Sequence, residues 1–365
     1  MGFSCGIVGL PNVGKSTLFN ALTETAAAQA ENYPFCTIEP NLGEVAVPDS
    51  RLEPIAALAK SAAVVPIRLA FVDIAGLVRG ASRGEGLGNQ FLANIREVDA
   101  IVHVVRCFSG SDVVHIEGRI APVEDIETIE TELMLADLDS LERRVEPLEK
   151  RARGGDVEAG AMFDLVRRAL SALREGKPAR VIERKDEEQK AFRMLGLLTS
   201  KPVLYVCNVD EEHASDGNEF SRAVELRAQA EGAGCVLISA KIEAEIAVLS
   251  PADRGEYLAA HGLHEAGLDR LIRAGYALLD LLTFFTAGPK ETHAWTVTRG
   301  TRAQQAAGVI HTDFERGFIR AEVVSYEEYV ALGGEAGARD AGKLRLEGKD
   351  YVVADGDVIH FRFAT

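Results

Sequence analysis

The stretch that most constrains this chain is "GLPNVGKST" at residues 9–17, which fits G-x-x-x-x-G-K-[ST] with Gly9, Gly14, Lys15 and Ser16. Such a loop works only between a buried strand and a helix. Its glycines let backbone N–H groups wrap phosphate oxygens, its lysine places a charge at the β/γ oxygens, and the helix aims its positive end at the same anion. The apolar "FSCGIVGL" (3–10) stands in front and a helical pattern follows, so the context is the required one. Asn12, Val13, Gly14, Lys15, Ser16 and Thr17 are therefore candidate nucleotide-binding residues, with Lys15 also a candidate catalytic group. The Ser16 hydroxyl is a candidate ligand for Mg²⁺.

Further near-continuous apolar runs, "IRLAFVD" (67–73), "DAIVHVVRC" (99–107), "PVLYVCN" (202–208) and "CVLISA" (235–240), have the signature of strands buried on both faces. Helical patterns separate several of them, which predicts an α/β fold with a mostly parallel sheet. "FVDIAG" ends such a strand on Asp73, where an acid can hold the metal through water, and Gly76 follows with an N–H for the γ-phosphate. Thr37, the only threonine between Thr25 and Thr128, is the expected switch hydroxyl for Mg²⁺. Five glycines between residues 76 and 88 make a loop that can order around a γ-phosphate. Related enzymes place a water-orienting glutamine directly after the D-x-x-G glycine, and here that position is Leu77. Turnover should be slow unless another group enters. Two substitutes are visible: Asn12 beside a monovalent cation such as K⁺, and His115 as a water-positioning residue.

Base recognition falls to "NVDE" (208–211) and "SAK" (239–241). Guanine offers two donors, N1–H and the 2-amino group, which one aspartate can accept. Asn208 can instead pair its amide with N6 and N7 of adenine. Glu211 is one methylene longer than a guanine-reading aspartate, and Val209 leaves only apolar contact with the base. ATP is expected over GTP, although Asp210 keeps a one-residue shift open. Ser239, Ala240 and Lys241 resemble a guanine-backing loop, so GTP is disfavoured rather than excluded.

Residues 125–199 interrupt the alternation. Met134, Leu138, Leu141, Val145 and Leu148 form a heptad seam, and Met162, Val166, Ala169 and Leu173 repeat it beyond "RGGD", so an antiparallel helical hairpin is predicted. Pro147 predicts a kink or break in its first helix. Charge enters the argument here. The chain carries a formal −16, which excludes a protein coating nucleic acid with its whole surface, yet residues 143–185 hold 12 Lys or Arg against 7 Asp or Glu. A solvated helical face and an RNA- or partner-facing arm both fit that excess. From about residue 284, strand-like "HAWTVTRG" and "KDYVVADGDVIHFRF" enclose a helical "TRAQQAAGVIHTDFERGF", a small α+β module. No apolar run approaches 18 residues and the first residues carry no signal pattern, so a cytoplasmic location without a membrane partner is expected. Of five cysteines, Cys5, Cys107, Cys207 and Cys235 lie in or beside apolar runs, whereas Cys36 lies in a polar loop.

"GFSCGIVGLPNVGKSTLFNALT", "NYPFCTIEPN", "FVDIAGLVRGASRGEGLGNQFLANIRE" and "AAGVIHTDFERGFIRAEV" together resemble the YchF family, the Obg-like ATPases, from residue 2 to the C-terminus. The resemblance implies a Ras-like, Obg-type P-loop domain over 1–124 and 200–283, an inserted coiled-coil hairpin over 125–199, and a TGS domain of β-grasp type over 284–365. It also implies slow ATP hydrolysis, binding to the ribosome, a missing catalytic glutamine matched by Leu77, and a catalytic loop histidine matched by His115. Ribosomal RNA becomes the partner expected for the hairpin and the TGS domain. A GTPase of ribosome assembly or translation, and a nucleotide-sensing adaptor in which hydrolysis is incidental, remain open alternatives.

Overall fold

The computed structural model describes residues 3–30, 41–74, 87–109 and 120–364. Two six-stranded sheets organise them. The first contains β1 (Ser4–Val8), β2 (Leu42–Ala46), β4 (Arg68–Asp73), β5 (Ala100–Arg106), β6 (Val203–Asn208) and β7 (Gly234–Ile238), in the order β2-β4-β1-β5-β6-β7. All neighbours pair in parallel except the edge strand β2, which runs antiparallel to β4. Every residue of β5 and β6 is buried, as their unbroken apolar runs require for strands covered on both faces. β2 alternates in burial along "LGEVA", the pattern of a strand with one wet side. Helix α1 (Lys15–Ala30) begins inside the phosphate loop.

Helices α2 (Leu52–Ala59) and α3 (Leu87–Glu97) follow in the sequence, and then the hairpin forms from α4 (Pro122–Arg153) and α5 (Val157–Arg174). Both predicted seams pack into one apolar cluster with Leu165, Leu170, Phe192 and Leu195. Gly155 turns the chain at φ 88°, and Asp156 caps α5 by accepting from the Ala159 N–H at 3.0 Å. Of the kink or break expected at Pro147, the break does not occur: α4 is continuous to Arg153. Pro147 sits on an exposed face, so the carbonyl that loses its helical partner faces solvent. The first turns of α4 belong to the main core through Ile126, Ile129 and Leu133, so the helix is rooted in the sheet domain. The returning chain is fixed by Asp137, whose buried carboxylate accepts from the N–H groups of Leu198 and Thr199 at 2.8 Å and from the Thr199 hydroxyl at 2.7 Å.

The second sheet adds β8 (Leu281–Ala287), β9 (Glu291–Thr298), β10 (Phe318–Ser325), β11 (Arg345–Glu347) and β12 (Asp357–Phe363), ordered β11-β10-β12-β8-β9-β3. Its last member, β3 (Ala63–Val65), comes from the N-terminal part of the chain and pairs in parallel with β9. The predicted helical stretch after residue 301 is two short helices, Ala303–Ile310 and Thr312–Arg316. His311 separates them in extended backbone and accepts from the Asp313 N–H. One face of this sheet packs on Ala303, Ala306 and Ala307, and the other joins the main core through Phe285, Ala294, Val324 and Val358. The molecule is thus an α/β P-loop fold with an inserted helical hairpin and a C-terminal α+β module of β-grasp type. Among the described residues, no helix is long and apolar enough to cross a membrane.

Candidate nucleotide site

In a parallel sheet the strand carboxyl ends open toward one edge, and here the ends of β1, β4 and β6 bring the predicted site residues together. Leu10, Pro11, Asn12, Gly14, Lys15, Ser16 and Thr17 line a cleft of about 400 Å³. The loop depends on two missing side chains. A Cβ at Gly14, where φ is 91°, would lie 2.1 Å from Asn208 Nδ2, and one at Gly9 would lie 2.7 Å from the Val104 carbonyl oxygen. Asn12 holds φ 64°, a left-handed value that asparagine tolerates. The Lys15 ammonium is buried and donates to the Ile74 carbonyl at 2.9 Å and to Asp73 Oδ1 at 3.3 Å. The candidate anion-binding lysine and the metal-binding candidate of β4 therefore touch.

Asn208 has a different part from the one expected. It is buried, its Nδ2 donates to the Val13 carbonyl at 2.9 Å, and its Oδ1 accepts from the Ala240 N–H at 2.9 Å. Each end of the amide already holds one backbone partner, so a base could use only its second N–H and second lone pair. Asn208 ties the loop at Val13 to the segment at Ala240. Val209 is buried, and Asp210 opens a short 3-10 turn at Glu211–His213. The Asp210 carboxylate is paired with Nδ1 of the His213 ring. Glu211 Oε1 meets the Lys241 ammonium at 2.6 Å, and that hydrogen bond raises the Lys241 pKa. Ser239 precedes the helix Ala240–Ala247, and its buried hydroxyl has no hydrogen-bond partner among the described residues.

Sequence reasoning missed the surrounding ties. Asn218 donates to the Cys107 carbonyl at 2.6 Å and caps the helix Glu219–Glu231 together with Ser221. The N-x-x-S spacing of that capping box was its available signal. Glu243 is buried, accepts from the N–H groups of Gly267 and Leu268, and is pushed up in pKa by desolvation. Nothing in its spacing marks it. Cys5 is buried and its thiol is pushed up to about 12 by that burial. Gly76, Leu77, Thr37, His115 and Cys36 lie outside the described residues.

The residues present suit a nucleotide carrying a hard divalent ion. The cradle at Gly14 excludes any side chain, the Ser16 hydroxyl in the first turn of α1 and the Asp73 carboxylate at the end of β4 are oxygen donors, and the buried Ser239 hydroxyl has no partner among the described residues.

Comparisons with known proteins identify relatives along the whole chain. A family model for the C-terminal region of YchF GTPases, described as a protein of unknown function (DUF933), matches residues 281–364, and one described as a 50S ribosome-binding GTPase matches residues 4–140. The chain is 56% identical over 363 residues to a protein of Haemophilus influenzae named ribosome-binding ATPase YchF, covering 100% of this chain and 99% of the relative. A Bacillus subtilis protein of the same name is 53% identical over 365 residues and covered throughout. The solved structure of the Schizosaccharomyces pombe YchF GTPase superposes with a TM-score of 0.89 at 34% identity, covering 99% of this chain and 98% of the other.

Proposed function

The chain belongs to the YchF family, and from that premise we propose that it is a slow nucleotide hydrolase that prefers ATP to GTP. Its nucleotide state would set the conformation of surfaces that meet the ribosome. One observation carries the base preference: the Glu211 carboxylate is held by Lys241 at 2.6 Å. In that contact Lys241 competes with the two donors of guanine for the carboxylate. The neighbouring Asp210, the residue a register shift would bring into play, is engaged by His213. Asn208 is likewise held by Val13 and Ala240, which supports the same reading.

Lys15 would leave its contacts on β4 for the β/γ oxygens, and the backbone of Asn12–Thr17 would wrap the phosphates. We assign Mg²⁺ to Ser16, Thr37 and, through water, Asp73; when bound, it neutralises charge on the transferred phosphoryl group. Asn12 is assigned to a monovalent cation beside the phosphates. Gly76 is assigned to the γ-phosphate, and His115 to the attacking water that Leu77 cannot orient. Val209, Ser239 and Ala240 would pack on the base.

The ribosome enters through the relatives' names, and we assign its contacts to the hairpin and the C-terminal module. Of the 12 basic residues in 143–185, seven are already in ion pairs: Arg143, Arg151, Arg153, Arg168, Arg174, Lys177 and Arg180. Lys150, Arg167 and Lys185 remain exposed outside those pairs and are the cations we assign to phosphate contact. Competition between ATP and GTP for the purified protein, with Mg²⁺ present, tests the base assignment. Tighter binding of ATP is expected, and GTP binding at least about tenfold tighter, about 1.4 kcal/mol, would replace it with a GTPase assignment.

A further inference from the structure

The chain between β2 and β4 leaves the first sheet, enters the second and returns within about twenty residues. On the way out, Arg51 binds Asp49 through two nitrogens at 2.7 and 2.9 Å and Asp355 at 2.6 Å, and its guanidinium lies 5.3 Å from the centre of the Phe285 ring. Asp355 in turn accepts from the Thr283 N–H at 2.8 Å, so the arginine is joined to the start of β8. Helix α2 then buries Leu52 and Ile55 in the core that also holds Phe285, Ala294 and Tyr329. Ser61 donates to the Gly288 carbonyl at 2.7 Å and sits 2.8 Å from the Thr292 hydroxyl. The N–H groups of Ala62 and Ala63 reach the carbonyls of Pro289 and Lys290, and β3 follows in register with Glu291–His293. Two residues separate β3 from β4.

β4 therefore has one end against the second sheet and the other in the nucleotide site. Its six residues span roughly 20 Å. At the far end Lys15 holds the Ile74 carbonyl and the Asp73 carboxylate. A triphosphate competes for that same ammonium, so the end of β4 has two alternative anchors, one of them nucleotide-dependent. On the strength of the nucleotide assignment above, we propose that residues 47–67 form a rigid bracket through which nucleotide binding at Lys15 and Asp73 is energetically coupled to the C-terminal sheet. Ligation at either site biases the other, because the connecting strand is hydrogen-bonded along its whole length and the bracket is fixed by an ion-paired arginine, a buried helix and a strand pairing. The C-terminal module is the part of the molecule that reports the nucleotide state.

Amide hydrogen exchange on the full-length protein tests this, with Mg²⁺ and a non-hydrolysable ATP or GTP analogue as probe. The expected result is slowed exchange at the phosphate loop together with at least about a fivefold change in β3, β8 and β9, the low end of measured couplings. In Arg51→Gln the phosphate-loop response persists while the second-sheet response collapses; Ser61→Ala serves as the milder variant if Arg51→Gln folds poorly. A phosphate-loop response that stops at β4 in the wild type overturns the coupling alone. An unchanged second-sheet response in both variants overturns the bracket as its route. No response at the phosphate loop with either analogue overturns the nucleotide assignment, and the coupling with it.

Discussion

Replacing Asn208 with alanine separates a positioning role from base recognition. The side chain satisfies two buried backbone groups, the Val13 carbonyl and the Ala240 N–H, each at 2.9 Å. Alanine leaves both without partners in a site too closely packed for easy hydration, since Gly14 presses against the same amide. Each stranded group costs about 1–3 kcal/mol, so the loss is about 2–6 kcal/mol. That is a large part of the 5–15 kcal/mol typical of a domain. Urea unfolding of the nucleotide-free protein reads the stability change. Titration with ATP and with GTP reads the functional one. Slackening of the phosphate loop weakens both nucleotides together, and their affinity ratio stays within about twofold of the wild-type value. A base-reading asparagine behaves differently, because loss of a bidentate pair costs about 1–3 kcal/mol toward one base only. If the ratio moves about tenfold or more while stability changes by less than about 0.5 kcal/mol, the structural tie is the wrong account of Asn208.

The ion pair Glu211–Lys241 gives a second test: Lys241→Ala with Glu211→Asp should free a shorter carboxylate and shift preference toward GTP by about tenfold, measured as the ratio of dissociation constants; an unmoved ratio refutes the assignment of specificity to this pair. A third concerns pH. Burial first, and then the nearby guanidiniums of Arg227 and Arg180, lower the His103 pKa from 6.5 to about 3. The unfolded chain then binds the extra proton between those values, so stability is complete above pH 6.5 and falls as pH drops toward 3. Between pH 7 and pH 5 this one group removes about 2 kcal/mol. Unfolding midpoints of wild type and His103→Phe at the two pH values should differ in slope by that amount, and equal slopes refute it.

What could be foreseen from the residues follows a physical division. β1, β5 and β6 are legible because strands covered on both faces must be apolar throughout, and the phosphate loop because only glycine fits at Gly14 beside Asn208. The hairpin is legible because its seams repeat at helical spacing. β3 is not, since "AVV" is too short to show a period and its partner β9 lies more than two hundred residues away. The break foreseen at Pro147 rests on a local cost, and α4 runs on to Arg153 because the neighbouring seam residues Val145 and Leu148 are packed in the hairpin cluster. Asn208 marks a third limit. Its chemistry, one donor group and one acceptor, is plain from its identity, but that Val13 and Ala240 take one bond at each end is visible only in the fold. A motif residue names the bonds a side chain is able to make, and the fold decides which partner is near enough to take them. The same competition governs Lys15, whose ammonium is claimed by Ile74 and Asp73 and sought by a phosphate. There the contest is not settled once by folding but reopened with each nucleotide, which is what makes the end of β4 able to transmit it.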